Sequence, residues 1–172
     1  MLLRIPSRWF WSGLLRGLAV FALCAAAAQA AETYKVGEVL AAFEVKDAKD
    51  GVFAYEPGKL AWLVVSYEMS PGKAVNGYLE KKPADYLETK RAAFMANIHG
   101  MPAIGRFFAL PKMKRYPHRI LLADSETLLE RHPVKEGRVT VFSFDAKGAI
   151  TGIRHLDPEK ELDELFSAGA TP

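Results

Sequence analysis

The sequence predicts an α/β domain with a mixed central sheet, helices on both faces and an N-terminal hairpin. Three observations carry this. Between residues 60 and 129, short apolar runs alternate with helix-compatible segments, the pattern of parallel strands joined by crossover helices. Asp50-Gly51 and Asp145-Ala146-Lys147-Gly148 each stand between two strand-like segments, as hairpin turns do. Nothing from Ala31 to Leu165 is repetitive, low in complexity or linker-like, so a single domain is expected over residues 31–172.

Taken in order, Phe43 to Lys46 and Val52 to Tyr55 bracket the first turn and form the leading hairpin. Leu60 to Tyr67 is nearly all apolar, which suits a strand buried on both faces. Ser70 then offers an N-cap and Pro71 a first helical residue, so a helix is expected to about Lys82. Ala92 to Ile98 is the next strand. From Pro102, Ile104, Phe107 and Phe108 recur at helical spacing until Pro111, where the helix is expected to stop. Arg119 to Ala123 is a compact strand, and Asp124 or Ser125 caps a short helix through Leu128 and Leu129. Arg138 to Phe144 and Ala149 to Leu156 form the second hairpin. Asp157 then caps, and Pro158 begins, a helix that carries Leu162, Leu165 and Phe166 on one face.

Ahead of this domain, residues 1–30 have the parts of a secretory signal peptide. Arg4, Arg8 and Arg16 are the only charges, and Gly17 to Ala28 is an unbroken run of apolar or small residues. At 1.5 Å per residue that run spans about 18 Å, short of the roughly 30 Å hydrocarbon core. Ala28-Gln29-Ala30 supplies a small-x-small end, so cleavage is expected before Ala31 and the location periplasmic or secreted. The alternative, a retained anchor, would need Trp9 to Trp11 to join the run across Arg16. Cys24 follows Leu23 rather than a small residue, against lipidation, and no adjacent arginine pair supports a twin-arginine route. Cys24 is the only cysteine, so cleavage leaves a chain with no thiol and excludes disulfide, iron–sulfur and thiolate chemistry. The formal net charge of +3 also resides in the three arginines. Residues 31–172 are neutral, which argues against a nucleic-acid partner. No permanent membrane anchor is expected after cleavage.

Three stretches resemble a known superfamily. Tyr34-Lys35-Val36-Gly37-Glu38-Val39-Leu40-Ala41-Ala42-Phe43-Glu44-Val45 is similar to the leading segment of thioredoxin-like proteins of the peroxiredoxin and periplasmic thiol-reductase type. Phe142-Ser143-Phe144-Asp145-Ala146-Lys147-Gly148-Ala149-Ile150 is similar to their hairpin, and Arg119 to Val134 to their inserted strand and helix. The resemblance spans most of residues 34–166 and implies a three-layer thioredoxin-like sandwich. Where that superfamily carries its Cys-x-x-Cys or peroxidatic cysteine, this chain has Glu68-Met69-Ser70-Pro71-Gly72-Lys73. Where it carries a cis-proline beside the thiols, the chain has Val139, ahead of Thr140. The resemblance therefore implies the fold without the thiol activity. A narrower likeness runs through Tyr86-Leu87, Met101-Pro102-Ala103-Ile104, Phe108 to Met113 and Tyr116 to Leu122. These segments resemble a group of uncharacterised exported bacterial proteins sometimes labelled FAD- or FMN-containing dehydrogenases. A G-x-G-x-x-G phosphate fingerprint is missing, because Gly100 to Gly105 has the wrong spacing. No cofactor is expected, with FAD or FMN as the alternative.

The best-placed candidate site is the strand-to-helix junction, since ligands collect beyond the carboxyl ends of parallel strands and helix N-termini favour anions. Glu68, Met69, Ser70 and Lys73, with Val139 and Thr140 beside them, make the candidate ligand-binding set, Glu68 serving as a base and Lys73 as an anion partner. A capping serine, a solvated lysine and a surface glutamate are the plainer alternative. Arg106, Lys112, Lys114, Arg115 and Arg119 form the densest basic stretch, fit for an acidic partner, a phosphate-bearing ligand or a lipid surface; the plainer alternative is a solvated helix end. His99, Met101, Met113 and His118, with Met69 and Met95, are soft donors suited to copper(I), though methionine is also a routine core filler and no metal is expected. His132 and His155 stand alone and are expected at the surface or on an edge strand. The expected function is an exported binding or accessory protein without thiol redox activity, taking a protein or small-molecule partner. A flavin-linked oxidoreductase and a copper-binding protein are the alternatives.

Overall fold

The structure, a computed structural model, describes residues 31–167; the signal peptide expected over residues 1–30 lies outside the described residues. The chain enters as an antiparallel hairpin of β1 (Phe43–Lys46) and β2 (Val52–Tyr55). Asp47 holds its turn, its Oδ1 accepting the N–H groups of Lys49 and Gly51, while Asp50 takes a left-handed φ of 66°. Next come β3 (Trp62–Ser66), α1 (Met69–Leu79), α2 (Tyr86–Thr89), β4 (Ala92–Asn97) and α3 (Ala103–Arg115). The chain finishes with β5 (Leu121–Ala123), α4 (Glu126–Leu129), β6 (Val139–Phe144), β7 (Ile150–Leu156) and α5 (Leu162–Ser167).

The main sheet has the order β5-β4-β3-β6-β7, with β3, β4 and β5 parallel and β6 and β7 antiparallel. Alternate residues serve opposite faces, as the period of a strand demands. Val64, Phe94, Ala96 and Val141 pack against Val75, Leu79, Leu87, Leu165 and Phe166 of α1, α2 and α5. Leu63, Val65, Met95, Leu121 and Phe142 pack against Leu40, Tyr55 and Leu129, from the leading segment, the hairpin and α4. Coverage of both faces is why Leu63, Val64 and Val65 can run consecutively in one strand.

Several local features depart from the sequence reading. Helix α1 begins two residues earlier than a Ser70 cap would set it, with Glu68 at the N-cap (φ −126°, ψ 158°) and no side-chain capping bond. Pro71 did not pin the start because the first four N–H groups of a helix have no helical acceptor, so a proline fits anywhere in that turn. Replacing Ser70 with Ala is therefore expected to change stability by less than about 0.5 kcal/mol, not the roughly 1 kcal/mol of a lost cap. A shift of the urea midpoint equivalent to a full cap would contradict this geometry.

Helix α3 runs through Pro111 instead of stopping there. Proline removes one bond to the carbonyl a turn earlier, that of Phe107, and Phe107 is 71% exposed, so water can serve that carbonyl. The same helix turns its apolar spacing to solvent. Ile104, Phe107 and Phe108 face outward, and the half-buried side toward the sheet is Gly105, Arg106, Ala109, Leu110 and Met113. Asp157 caps a turn rather than a helix, its carbonyl accepting from Lys160 and Glu161, and α5 opens at Leu162. The short α2 had no predicted counterpart.

Candidate functional site

The carboxyl ends of β3 and β4 open into a groove of about 670 Å³ between α1 and α3. Gly72 sets how closely α1 lies on β3, since a Cβ there would stand 3.0 Å from the Ser66 Oγ. Asn76, one turn on, is buried at the groove wall: its amide donates to the Gly72 carbonyl, and its Oδ1 lies 2.9 Å from His118 Nε2. Oδ1 can only accept, so His118 carries its proton on Nε2, and its buried Nδ1 has no partner among the described residues. Burial first, and the Lys49 ammonium second, push His118 down to about 4. A neutral imidazole, stacked on Tyr116 at 5.2 Å, thus backs the groove.

The walls of the groove are largely apolar. Met69 comes from α1, Phe108, Ala109 and Met113 from α3, and Met101 and Tyr116 from the flanking loops. Cations stand on both sides, Lys73 on α1 and Lys112 on α3, and among the described residues neither has a carboxylate within 4 Å. Tyr67 also lines the groove, its hydroxyl buried without a partner among the described residues, and burial raises its pKa.

Of the predicted ligand-binding set, Glu68, Met69 and Lys73 line this groove, whereas Ser70 is exposed outside it. Val139 and Thr140 are fully buried in β6 and do not reach the groove. Val139 packs in the core, and the Thr140 hydroxyl donates to the Pro133 carbonyl at 2.6 Å. Glu68 is turned away from a free base's role, its Oε1 accepting the Gly137 N–H at 3.1 Å. Asn76, Tyr67, Phe108 and Tyr116 carried no signal in the sequence, because their place at the site depends on how α1 and α3 lie on the sheet.

The basic stretch divides. Arg106 makes a two-pronged pair with Asp124 and also donates to the carbonyls of Ile98 and Met101, which fastens α3 to the loop after β4. That pairing holds the Asp124 carboxyl below its ordinary range. Lys114 pairs with Asp50 at 2.6 Å and Arg119 with the buried Asp47 at 3.3 Å. These three are paired within the fold. Lys112 and Arg115 stay exposed, with no carboxylate within 4 Å among the described residues.

The soft donors divide as well. Met69, Met101, Met113 and His99 line the one groove, while Met95 is wholly in the core and His118 is bound to Asn76. His132, expected at the surface, is 4% exposed, enclosed by the rings of Tyr34, Tyr67 and Phe142. His155 lies half-buried on the edge strand β7. Among the described residues no three His, Cys, Asp or Glu side chains group as a metal site.

No family model and no curated protein matches the chain. Solved structures do. A protein described as thiol:disulfide interchange protein DsbE, from Chlorobium tepidum, aligns with a TM-score of 0.56 at 15% identity, over 79% of this chain and 98% of its own. A peroxiredoxin-like protein from Aquifex aeolicus aligns at 0.54 and 12%, over 81% and 88%. The thioredoxin domain of a thiol-disulfide oxidoreductase from Bacteroides vulgatus aligns at 0.52 and 18%, over 78% and 99%. At these identities what is shared is the fold, a thioredoxin-like sandwich. The junction that the sequence resemblance matches to the thiol position is the N-terminus of α1, where this chain has no cysteine.

Proposed function

We propose that this thioredoxin-like domain is an exported binding module that works without a thiol and takes a small molecule with an apolar body and an anionic end. The groove between α1 and α3 carries the reading. Its volume is that of a small-molecule site, its walls are thioether and aromatic, and its two lysines lack partners among the described residues. The absence of any cysteine after Cys24 supports a role other than disulfide exchange. The basic, apolar, small-residue order of residues 1–30 supports export, and no helix among the described residues is long and apolar enough to cross a membrane.

The test uses anilinonaphthalene sulfonate, an apolar anion, titrated into folded protein at neutral pH. One saturable site is expected. Lys73→Glu combined with Lys112→Glu weakens it about tenfold, the equivalent of about 1.4 kcal/mol, and Ala109→Trp, which fills the groove, abolishes it. Binding that ignores all three changes refutes the proposal. A purified protein with no flavin absorbance accords with it, and a yellow one supports the flavin-linked alternative instead.

A second reading is favoured by one observation, that Met69, Met101, Met113 and His99 share the groove. Thioether and imidazole ligands suit copper(I). If that reading holds, the protein withdraws copper(I) from a chromogenic chelator one to one, and Met69→Leu with Met101→Leu ends the competition.

A further inference from the structure

Helix α3 carries three large apolar side chains that the fold leaves in water. None of its thirteen residues is buried. Ile104, Phe107 and Phe108 are 67%, 71% and 68% exposed, and the two phenyl rings meet edge to face at 5.2 Å. At about 100° per residue, Ile104, Phe107, Phe108 and Pro111 fall in one outward stripe roughly 100° wide. The opposite side, with Gly105, Ala109 and Met113, already rests toward the sheet. Contiguous apolar side chains left in water at this scale mark a surface that something covers.

The charge around the stripe narrows what covers it. No acidic residue occurs from Thr89 to Ala123. Lys112 and Lys114 flank the stripe on its two sides, and Arg115 closes its C-terminal end. Lys114 is partly neutralised by Asp50, whereas Lys112 and Arg115 keep their charge unmatched among the described residues. A second copy meeting this face across a two-fold axis would bring no acidic side chain of α3 to Lys112 or Arg115. The stripe itself offers no polar side chain for a protein partner to bond. Aromatic and aliphatic side chains bordered by basic ones are instead the pattern of a helix lying in a bilayer interface, where no complementary hydrogen bonds are required. We propose that α3 docks this domain peripherally on an anionic lipid surface, Ile104, Phe107 and Phe108 entering the headgroup region while Lys112 and Arg115 meet the phosphates. This goes beyond the groove reading and stands without it.

The test places the reporter on the helix. Full-length protein carrying Phe107→Trp is mixed with vesicles of phosphatidylglycerol and phosphatidylcholine, or of phosphatidylcholine alone. Emission is read as the difference from the parent protein, which removes Trp9, Trp11 and Trp62. With the anionic vesicles, a blue shift and quenching by lipids brominated near the headgroup are expected; the neutral vesicles should give little of either. Lys112→Gln and Arg115→Gln should each weaken the anionic response roughly fivefold, as a contact worth about 1 kcal/mol per cation implies, and added salt should weaken it further. A difference spectrum that does not move with anionic vesicles, or charge variants that respond like the parent, overturns the proposal. A blue shift that grows with protein concentration in the absence of lipid also overturns it and assigns the face to a second copy.

Discussion

Acidification from pH 7 to pH 4 is expected to remove up to about 6 kcal/mol of stability, and two buried histidines are the cause. His118 and His132 are 1% and 4% exposed, and burial pushes both down to about 4, with the Lys49 ammonium adding to the shift at His118. A histidine whose folded pKa is depressed binds its proton more readily when the chain is unfolded. Its contribution is therefore complete above the ordinary value near 6.5 and drains away as the pH falls toward 4. At 1.36 kcal/mol per pH unit, each histidine is worth about 3 kcal/mol at most. The aspartates whose pKa values are lowered, such as Asp124 and Asp157, act below their ordinary value near 3.8, and half-buried His155, also lowered by burial, acts in the same direction as the two buried histidines. A total stability of 5–15 kcal/mol is usual for a domain, so the loss is a large share of it. His132 gives the clean test. It lies between Tyr34, Tyr67 and Phe142 at centroid distances of 5.8, 6.4 and 5.0 Å, and its Nδ1 has no partner among the described residues. Arg131 sits over the Tyr34 ring at 4.2 Å, so a protonated His132 would be a second cation in that aromatic box. His132→Phe should fold at least as stably at pH 7 and lose about half of the pH dependence between 6.5 and 4.5. Urea denaturation at pH 5, 6 and 7 reads this directly, and an unchanged slope would show that the box does not penalise the imidazolium.

What the sequence made legible were the segments whose signals are local. Asp50-Gly51 and Asp145 to Gly148 name their hairpins because only a few residues tolerate those backbone angles. β3 declared itself because a run such as Leu63-Val64-Val65 fits only a strand covered on both faces. Helix α3 shows the limit. Spacing identifies that Ile104, Phe107 and Phe108 share a face, but periodicity carries no sign, and which face the sheet covers depends on where β4 and β5 place the helix. Arg106 illustrates the same limit for charge. In the sequence it is one of a basic stretch, and only the fold brings Asp124 and two backbone carbonyls to it. The groove was half legible: its Glu68 to Lys73 edge follows from the strand-to-helix junction, whereas Phe108 and Tyr116 arrive from a distant helix and its trailing loop.

Gly148→Ala is expected to be among the most damaging single methyl groups that can be added to this chain, costing about 3 kcal/mol or more. Gly148 has a φ of 84°, in the left-handed region, and a Cβ there would stand 2.5 Å from both the Gly58 nitrogen and the Pro57 Cβ. Gly58 mirrors it, with a φ of 85° and a Cβ position 2.6 Å from the Ala146 carbonyl oxygen. The turn after β2 and the turn joining β6 to β7 therefore touch backbone to backbone. Neither is free to retreat. Asp145 Oδ1 accepts the N–H groups of Lys147 and Ala149, Ile150 donates to the Glu38 carbonyl, and Arg91 holds the Gly58 carbonyl at 2.6 Å. The left-handed conformation costs an alanine about 1–2 kcal/mol, and forcing a methyl group into packed backbone adds about 1–3 kcal/mol. Gly137 separates the two contributions. Its φ is also positive, at 67°, yet among the described residues nothing lies within 4 Å of its Cβ position, so Gly137→Ala carries the conformational cost alone. The difference between the two variants in urea midpoint measures how tightly the N-terminal hairpin is docked on the sheet. Equal losses would mean that the two turns part readily and that the leading hairpin is only loosely held.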